Sequence, residues 1–309
     1  MNSGGYTARS QCGIISDNKN VTKGFTIAPA FYAGAIILTL LCGCAGHKVL
    51  LGREGNADSL AYSGGFTKSC IAAGLFEITS YSRFDAPGKT VRIYIEGDGR
   101  AWKSRHALSD DPTPSNPVAL YLAMEDNSAN VAYLARPGQY NSSHIKSCDP
   151  VYWSEKRFAP EVIDVMNAAI DIVKAGAKAP DIELIGYSGG ATIAVIIAAE
   201  RNDVVSLRTV AGNLDHKAVN RYHNVSPLEG SLNPIDFATK VSHIPQRHFV
   251  SAGDSVIPKA IAESFAGKIG DQRYESITIV EGTSHTAGWQ KAWPSLLKLP
   301  LYKNTGPDS

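Results

Sequence analysis

Between residues 182 and 201 an apolar run, a glycine-rich turn and a second apolar run follow one another directly, in the sequence IELIGYSGGATIAVIIAAER. The first run is short and ends at a turn signal, which predicts a buried strand over 182–187. The second run, 190–201, is long enough for a buried helix. Between them, residues 186–190 fit G-x-S-x-G, a pattern in which a serine occupies a sharp turn between a strand and a helix. This feature predicts an α/β fold with Ser188 exposed at the turn.

The tetrapeptide YSGG also occurs at residues 62–65, in the sequence LAYSGGFTK. This copy has Ala61 where the pattern needs its first glycine, and no strand-like run precedes it. Residues 45–69 are rich in Gly, Ala, Ser and charged residues and show no apolar periodicity, so they are predicted to form a flexible tether. Ser63 is therefore expected to lie in a flexible turn and to have no chemical role.

Short apolar runs alternate with helical patterns along the rest of the chain. Strands are predicted at 76–83, 91–96, 130–135, 182–187, 206–211, 247–252 and 276–281. Helices are predicted at 117–125, 160–175, 190–201, 258–267 and 287–299. Such alternation is typical of a mostly parallel sheet, here of about seven to eight strands, with helices on both faces. We expect a single domain of this kind over residues 70–309.

A serine hydroxyl is a weak nucleophile at neutral pH and needs a neighbouring base that is oriented by an acid. Asp254 follows the penultimate predicted strand in the sequence GDSVIP, and His285 follows the last one in GTSHTAGW. Because the carboxyl ends of parallel strands meet at one edge of a sheet, Ser188, Asp254 and His285 are expected to converge there. Asp215, which follows the preceding strand, is the alternative acid.

The turn at Ser188, the GDSVIP segment with Asp254 and the Ser-His pair with His285 resemble the α/β-hydrolase superfamily, and the resemblance covers roughly residues 76–300. It implies the α/β-hydrolase fold, with Ser188 as nucleophile, His285 as general base and then general acid, and Asp254 orienting the imidazole. It also implies that the backbone N–H of Gly189, the residue after the nucleophile, donates to the oxyanion.

The resemblance places a second oxyanion donor in the loop after the strand 91–96. Superfamily members often carry His-Gly there, whereas this chain reads Glu96-Gly97-Asp98-Gly99. Glycine permits a close backbone approach, so the N–H of either Gly97 or Asp98 is the candidate. The segments IEGDG, LARPGQY, CDPVYWSEKRF and AGNLDH are similar to a group of uncharacterised bacterial envelope hydrolase-like proteins, a likeness that implies no substrate.

The function implied is that of a serine hydrolase that cleaves an ester, thioester or amide of a small-molecule acyl substrate through a covalent acyl-enzyme, with carboxylic esters favoured. This chemistry requires no cofactor and no metal, and no residue spacing in the chain suggests a metal site. Two alternatives stay open. One is a non-catalytic envelope protein that uses the fold as a binding or scaffold surface. The other is an acyltransferase that passes the acyl group to an acceptor other than water.

Residues 25–44, FTIAPAFYAGAIILTLLCGC, are mainly apolar. Their uninterrupted apolar part, 28–41, is too short for a comfortable transmembrane helix of about 20 residues, and it predicts a signal sequence. Their end, Leu41-Cys42-Gly43-Cys44, resembles the lipobox of bacterial lipoproteins. Residues 1–44 are therefore expected to be a leader that leaves Cys44 lipidated and the protein anchored in the envelope, most simply in the outer membrane facing the periplasm. A plain signal peptide or a short membrane anchor is the alternative. The long polar lead-in 1–24 suggests a translation start near Val21.

The charge of the chain bears on its possible partners, and its cysteine content bears on disulfide bonding. Thirty Lys+Arg against 29 Asp+Glu give a net charge of +1 without a basic stripe, which argues against a nucleic-acid partner.

Of the five cysteines, Cys70 and Cys148 would remain unmodified after processing. In an oxidising envelope compartment they are expected to form a disulfide, with two unpaired thiols as the alternative.

Overall fold

The computed structural model describes residues 7–9, 52–140, 148–270 and 276–301. The strands in these residues are β1 (Thr7–Arg9), β2 (Thr67–Ala73), β3 (Phe76–Phe84), β4 (Val91–Ile95), β5 (Trp102–Ser104), β6 (Ala107–Leu108), β7 (Asn130–Leu134), β8 (Ile182–Tyr187), β9 (Val204–Val210), β10 (Gln246–Ser251) and β11 (Ile277–Val280). The α-helices are α1 (Arg53–Ser63), α2 (Val118–Met124), α3 (Pro160–Gly176), α4 (Gly189–Ala198), α5 (His216–His223), α6 (Lys259–Ile269) and α7 (Trp289–Leu296). Two 3₁₀ helices cover Pro150–Trp153 and Pro234–Val241.

Nine of the described strands form one sheet in the order β1-β2-β3-β7-β4-β8-β9-β10-β11, and β5 pairs with β6 in a separate hairpin. From β7 to β11 every neighbouring pair in this order is parallel, whereas β1, β2 and β3 pair antiparallel at one edge. The predicted mostly parallel sheet is therefore confirmed. Because the six strands from β7 to β11 in this order point the same way, their carboxyl ends lie along one edge of the sheet, where the loops after β4, β8, β9, β10 and β11 can meet.

Helices cover both faces of the sheet, as predicted. The core on one face is built with α3, α4 and α6, and the core on the other face with α1, α2 and α7. Every residue of α4 is buried, because this helix is apolar all round and packs under β8 and β9. The central strands β4, β7 and β8 are apolar over nearly their whole length, as expected for strands that are covered on both faces.

The predicted tether over 45–69 is wrong for the described residues 52–69. They form α1 and the start of β2, and the helix packs against β2 and α2. Ala57 and Ala61, one helical turn apart, are each only 1% exposed. Lys68 on β2 forms ion pairs at 2.9 Å with two acidic residues of α1. Two alanines make a small apolar face that allows close packing, yet they leave little trace in a hydropathy pattern.

The first YSGG copy lies at the end of this helix. Ser63 is the last residue of α1, and its hydroxyl donates to the carbonyl of Leu60 at 2.7 Å. Gly64 follows as the cap, and its N–H bonds carbonyls of the last helical turn. Ser63 therefore belongs to an ordered helix terminus, and this corrects the expectation of a flexible turn.

The predicted disulfide between Cys70 and Cys148 is also wrong. Cys148 is a free thiol, whereas Cys70 on β2 is disulfide-bonded. A cysteine forms one disulfide, so these two residues are not paired with each other. Cys148 instead packs against the apolar core, and burial, with a smaller effect from Asp149, raises the pKa of its thiol to about 11. A thiol with so high a pKa is mostly protonated at neutral pH and is a poor nucleophile.

The predicted leader, residues 1–44 with Cys44, lies outside the described residues apart from 7–9. Those three residues form β1, which pairs with β2 at the edge of the sheet. None of the helices in the described ranges has the length and apolar character needed to cross a membrane.

Candidate active site

Ser188 occupies the turn between β8 and α4 in a strained conformation. Its backbone angles are φ 50° and ψ −118°, a region that non-glycine residues rarely adopt. Glycines on either side make this turn sterically possible. A Cβ on Gly186 would overlap the backbone of Ala191, and a Cβ on Gly190 would overlap the carbonyl oxygen of Ile95 at the end of β4. The turn therefore holds the serine hydroxyl at the carboxyl edge of the sheet.

The structure brings the three predicted residues Ser188, His285 and Asp254 into one hydrogen-bonded chain. Ser188 Oγ lies 3.0 Å from His285 Nε2, and His285 Nδ1 lies 2.9 Å from Asp254 Oδ2. An ionised carboxylate accepts only, so Nδ1 carries the proton and the neutral Nε2 is left to accept from the serine hydroxyl. This is the arrangement in which a histidine can remove the proton of a serine.

Asp254 is held as a carboxylate by its surroundings. Its side chain is 1% exposed, and burial alone would raise its pKa. Hydrogen bonds from His285 and from the backbone N–H groups of Ile257 and Val256 outweigh burial, so the pKa of Asp254 lies below its ordinary value. The two backbone bonds, 2.9 and 2.8 Å long, both reach Oδ1 and leave Oδ2 for the imidazole. Asp254 is therefore ionised at neutral pH and oriented with Oδ2 toward His285.

The alternative acid, Asp215, serves a different purpose. Its Oδ1 accepts the N–H of Ala218 at 3.1 Å, which caps the first turn of α5, and it also accepts from the amide of Asn233 at 2.8 Å. Within the described contacts it makes none with His285. The geometry thus favours Asp254 over Asp215 as the partner of the imidazole.

Two aromatic residues that the sequence did not single out for this purpose anchor the histidine loop. The backbone carbonyl of His285 accepts from the Tyr187 hydroxyl at 3.0 Å and from Trp289 Nε1 at 3.1 Å. The ring of Tyr187 also lies against the imidazole, with 5.6 Å between centroids. Tyr187 directly precedes Ser188, so one residue connects the serine turn to the histidine loop. The only signal in the sequence for this anchoring role is the position of Tyr187 within the G-x-S-x-G segment.

The loop after β4 lies against the serine turn, as predicted. A Cβ on Gly97 would come within 3.2 Å of Ser188 Cβ. The prediction of Gly97 as an oxyanion donor is wrong, however, because its N–H already donates to the Glu96 carboxyl group at 2.9 Å. The N–H of Asp98 has no acceptor among the described residues. Gly189 is the first residue of α4, so its N–H has no acceptor within the helix.

The Asp98 side chain is tied down by two arginines. Its Oδ1 lies 3.3 Å from Arg136 Nη1 and its Oδ2 lies 2.8 Å from Arg157 Nη1. Burial would raise the pKa of Asp98, but the charges of Arg157 and then Arg136 outweigh it and lower the pKa. A Cβ on Gly189 would overlap this carboxylate, so the cluster lies beside the serine turn. The two arginines therefore compensate the negative charge of this carboxylate next to the serine turn.

The described residues contain no group of three or more His, Cys, Asp or Glu side chains that could hold a metal ion.

Comparison with known proteins supports the fold. No family model matches the sequence, and no curated protein matches it. Among solved structures, the esterase Pf2001 of Pyrococcus furiosus is 15% identical with a TM-score of 0.51, over 78% of this chain and 92% of that one. Est1E from Butyrivibrio proteoclasticus is 15% identical with a TM-score of 0.50, over 74% and 97%. The esterase domain of a Rhodothermus marinus protein is 12% identical with a TM-score of 0.51, over 75% and 94%. At such identities a likeness shows the fold alone, and together with the sheet topology it shows that this chain has the α/β-hydrolase fold.

Proposed function

We propose that this protein is a serine hydrolase that cleaves carboxylic esters through a covalent acyl-enzyme. The observation that carries the proposal is the hydrogen-bonded chain from Ser188 through His285 to Asp254 at a strained turn. Beside this turn lie the backbone N–H groups of Gly189 and Asp98, for which the described part of the chain provides no acceptor. The ordinary roles of turn serine, surface histidine and solvated aspartate do not explain why these groups, far apart in sequence, meet with this geometry.

In the proposed reaction, Ser188 Oγ attacks the ester carbonyl carbon while its proton moves to His285 Nε2. The resulting oxyanion accepts hydrogen bonds from the N–H groups of Gly189 and Asp98. The tetrahedral intermediate collapses, the C–O bond to the alcohol breaks, and His285 returns the proton to the leaving oxygen. Water then attacks the acyl-enzyme, with His285 again removing a proton, and the carboxylic acid and free Ser188 are released. Asp254 stabilises the imidazolium in both halves.

A fluorophosphonate probe tests whether the serine is activated. The wild-type protein is expected to be labelled covalently, and Ser188→Ala is expected to abolish labelling. Ser63→Ala is a matched control, because it removes the serine of the other YSGG copy, and it should leave labelling unchanged. A folded wild-type protein that resists labelling would favour a non-catalytic binding or scaffold role instead.

The bond that is cleaved requires a second experiment. Hydrolysis of p-nitrophenyl esters of graded chain length, compared with matching thioesters and amides, is expected to favour the oxygen esters. Adding alcohol or sugar acceptors distinguishes hydrolysis from acyl transfer. If the acylated acceptor became the main product, the protein would be an acyltransferase that uses the same acyl-enzyme.

We also propose that the mature protein is attached to the bacterial outer membrane through a lipid on Cys44. The support is the apolar segment 25–44 and its lipobox-like end. Processing at Cys44 would remove β1 from the edge of the sheet, so the fold described above is that of the unprocessed chain. Apart from Cys70 and the free Cys148, all cysteines lie within residues 1–44, so processing would also remove the disulfide of Cys70. Metabolic labelling with a radioactive fatty acid, followed by membrane fractionation, tests this proposal. Cys44→Ser should lose both the label and the membrane association, whereas label retained in that variant would refute it.

A further inference from the structure

A buried carboxyl group lies directly beneath the loop that approaches Ser188. Glu96 follows β4 and is 1% exposed. Its Oε1 accepts the N–H of Gly97 at 2.9 Å and that of Ala119 at 3.5 Å, and its Oε2 accepts the hydroxyl of Tyr133 at 3.2 Å. Burial raises the pKa of Glu96 to about 7, although these hydrogen bonds partly oppose it. Among the described residues Glu96 forms no ion pair with an arginine or lysine, although its charge acts on Arg136 nearby. A buried carboxyl group without such a pair is costly, and an apolar side chain would fill this place at lower cost.

The peptide bond between Gly97 and Asp98 is held from a second direction. The carbonyl oxygen of Gly97 accepts from Gln139 Nε2 at 3.0 Å, and Gln139 is itself buried and accepts the N–H of Arg136 at 3.0 Å. A peptide group is planar and trans, so its C=O and the following N–H point in opposite directions. The bond from Gln139 to the Gly97 carbonyl therefore sets the direction of the Asp98 N–H.

Glycine at position 97 makes these contacts necessary. Without a Cβ its backbone angles are weakly restricted, and the adjacent peptides could rotate. Glu96 fixes the N–H on one side of Gly97, and Gln139 fixes the C=O on the other. A donor contributes to the stabilisation of an oxyanion only when it is oriented in advance.

We infer that Glu96 and Gln139 are positioning residues that clamp Gly97 between them, so that the N–H of Asp98 and not that of Gly97 completes the oxyanion site. The inference rests on the proposed function, since it assigns the second donor of the same reaction. The clamp acts through the backbone and touches no substrate atom. Loss of the clamp should therefore reduce the stabilisation of the transition state more than it reduces the binding of the ester.

The test compares kcat and KM for a p-nitrophenyl ester in wild type, Glu96→Leu, Glu96→Gln and Gln139→Met. Glu96→Leu and Gln139→Met each remove one side of the clamp and are expected to lower kcat by about tenfold or more with little change in KM. Glu96→Gln retains an oxygen that accepts from Gly97 and should recover kcat to within about threefold of wild type.

A matched control separates this effect from general loss of stability. Asp126 is also a carboxylate that is 1% exposed, but it pairs with Arg92 at 2.9 Å and accepts from Tyr94 at 2.6 Å, contacts that do not involve the loop after β4. Asp126→Asn is expected to lower the melting temperature and to leave kcat unchanged.

Three results would overturn the inference. One is a folded Glu96→Leu variant with wild-type kcat. Another is a Glu96→Gln variant that is as impaired as Glu96→Leu, since that would assign the effect to charge. The third is a kcat loss in Asp126→Asn as large as that in Glu96→Leu. If Glu96→Leu does not fold, wild-type kcat in Gln139→Met overturns the clamp. Fluorophosphonate labelling and ester turnover by the wild type are measured first, so that failure of the proposed function is recognised separately.

Discussion

His248 on β10 is a buried histidine on which stability at low pH is expected to depend. Its side chain is 0% exposed, its Nδ1 lies 2.9 Å from the hydroxyl oxygen of Thr209, and its ring packs edge-on against Phe265. Its Nε2 has no partner in the described part of the chain. Burial, with a smaller effect from the charge of Arg247, lowers the pKa of His248 from 6.5 to about 4.

The folded protein therefore holds this histidine neutral at pH values where the unfolded chain protonates it. The difference between the two pKa values corresponds to about 3 kcal/mol of unfolding free energy. That stabilisation is present above the unfolded pKa of 6.5 and is lost as the pH falls through the folded pKa of about 4. His248→Gln keeps a polar side chain near Thr209 but does not take up a proton. The variant should therefore not show this loss of unfolding free energy at low pH.

Urea unfolding of wild type and His248→Gln at about pH 7 and about pH 4 measures the effect. The difference in unfolding free energy between the two proteins is expected to change by about 3 kcal/mol in favour of the variant as the pH is lowered. A change below about 1 kcal/mol for His248→Gln would refute the reasoning, because it would mean that the buried imidazole does not resist protonation.

Three further predictions concern the site and its support. Asp254→Asn should lower kcat by about 10³- to 10⁴-fold because it disturbs the histidine tautomer, whereas Asp215→Ala should cost about 1 kcal/mol in urea unfolding by removing a helix cap and leave kcat intact. Equal kcat losses in both variants would contradict this assignment. Gly190→Ala should lower the unfolding free energy by about 1–3 kcal/mol, since the added Cβ overlaps a carbonyl oxygen at the end of β4; an unchanged melting temperature would argue against such tight packing. Trp289→Phe removes one donor to the His285 carbonyl and should lower kcat by about tenfold with little change in KM, and an unchanged kcat would show that the loop needs no such anchor.

The order of the elements and the meeting point of the site residues could be predicted from the sequence. Apolar runs of strand length, each followed by a turn residue and a helical pattern, specify a parallel sheet by local signals alone. The ends of those strands then place Ser188, Asp254 and His285 on one edge, because parallel strands share a direction. The helices α1 and α5 were not predicted, because each has few apolar residues and buries only a small part of its surface.

Several features depended on the tertiary structure. Two candidate N–H donors were equivalent in the sequence, and only the buried carboxyl of Glu96 distinguishes Gly97 from Asp98. The choice between Asp254 and Asp215 likewise depended on which carboxylate faces the imidazole and which caps a helix.

The sequence by itself therefore determined the α/β architecture and the three residues that meet at the carboxyl edge of the sheet. Only the tertiary structure decided that the N–H of Gly97 donates to the buried Glu96 carboxyl group, the state of Cys70 and Cys148, and the packing of residues 52–69. The physical reason is the range of the interactions. Periodicity and turn chemistry act between near neighbours in the chain, whereas a hydrogen bond, a disulfide or a buried alanine depends on groups that only the folded chain brings within a few ångströms.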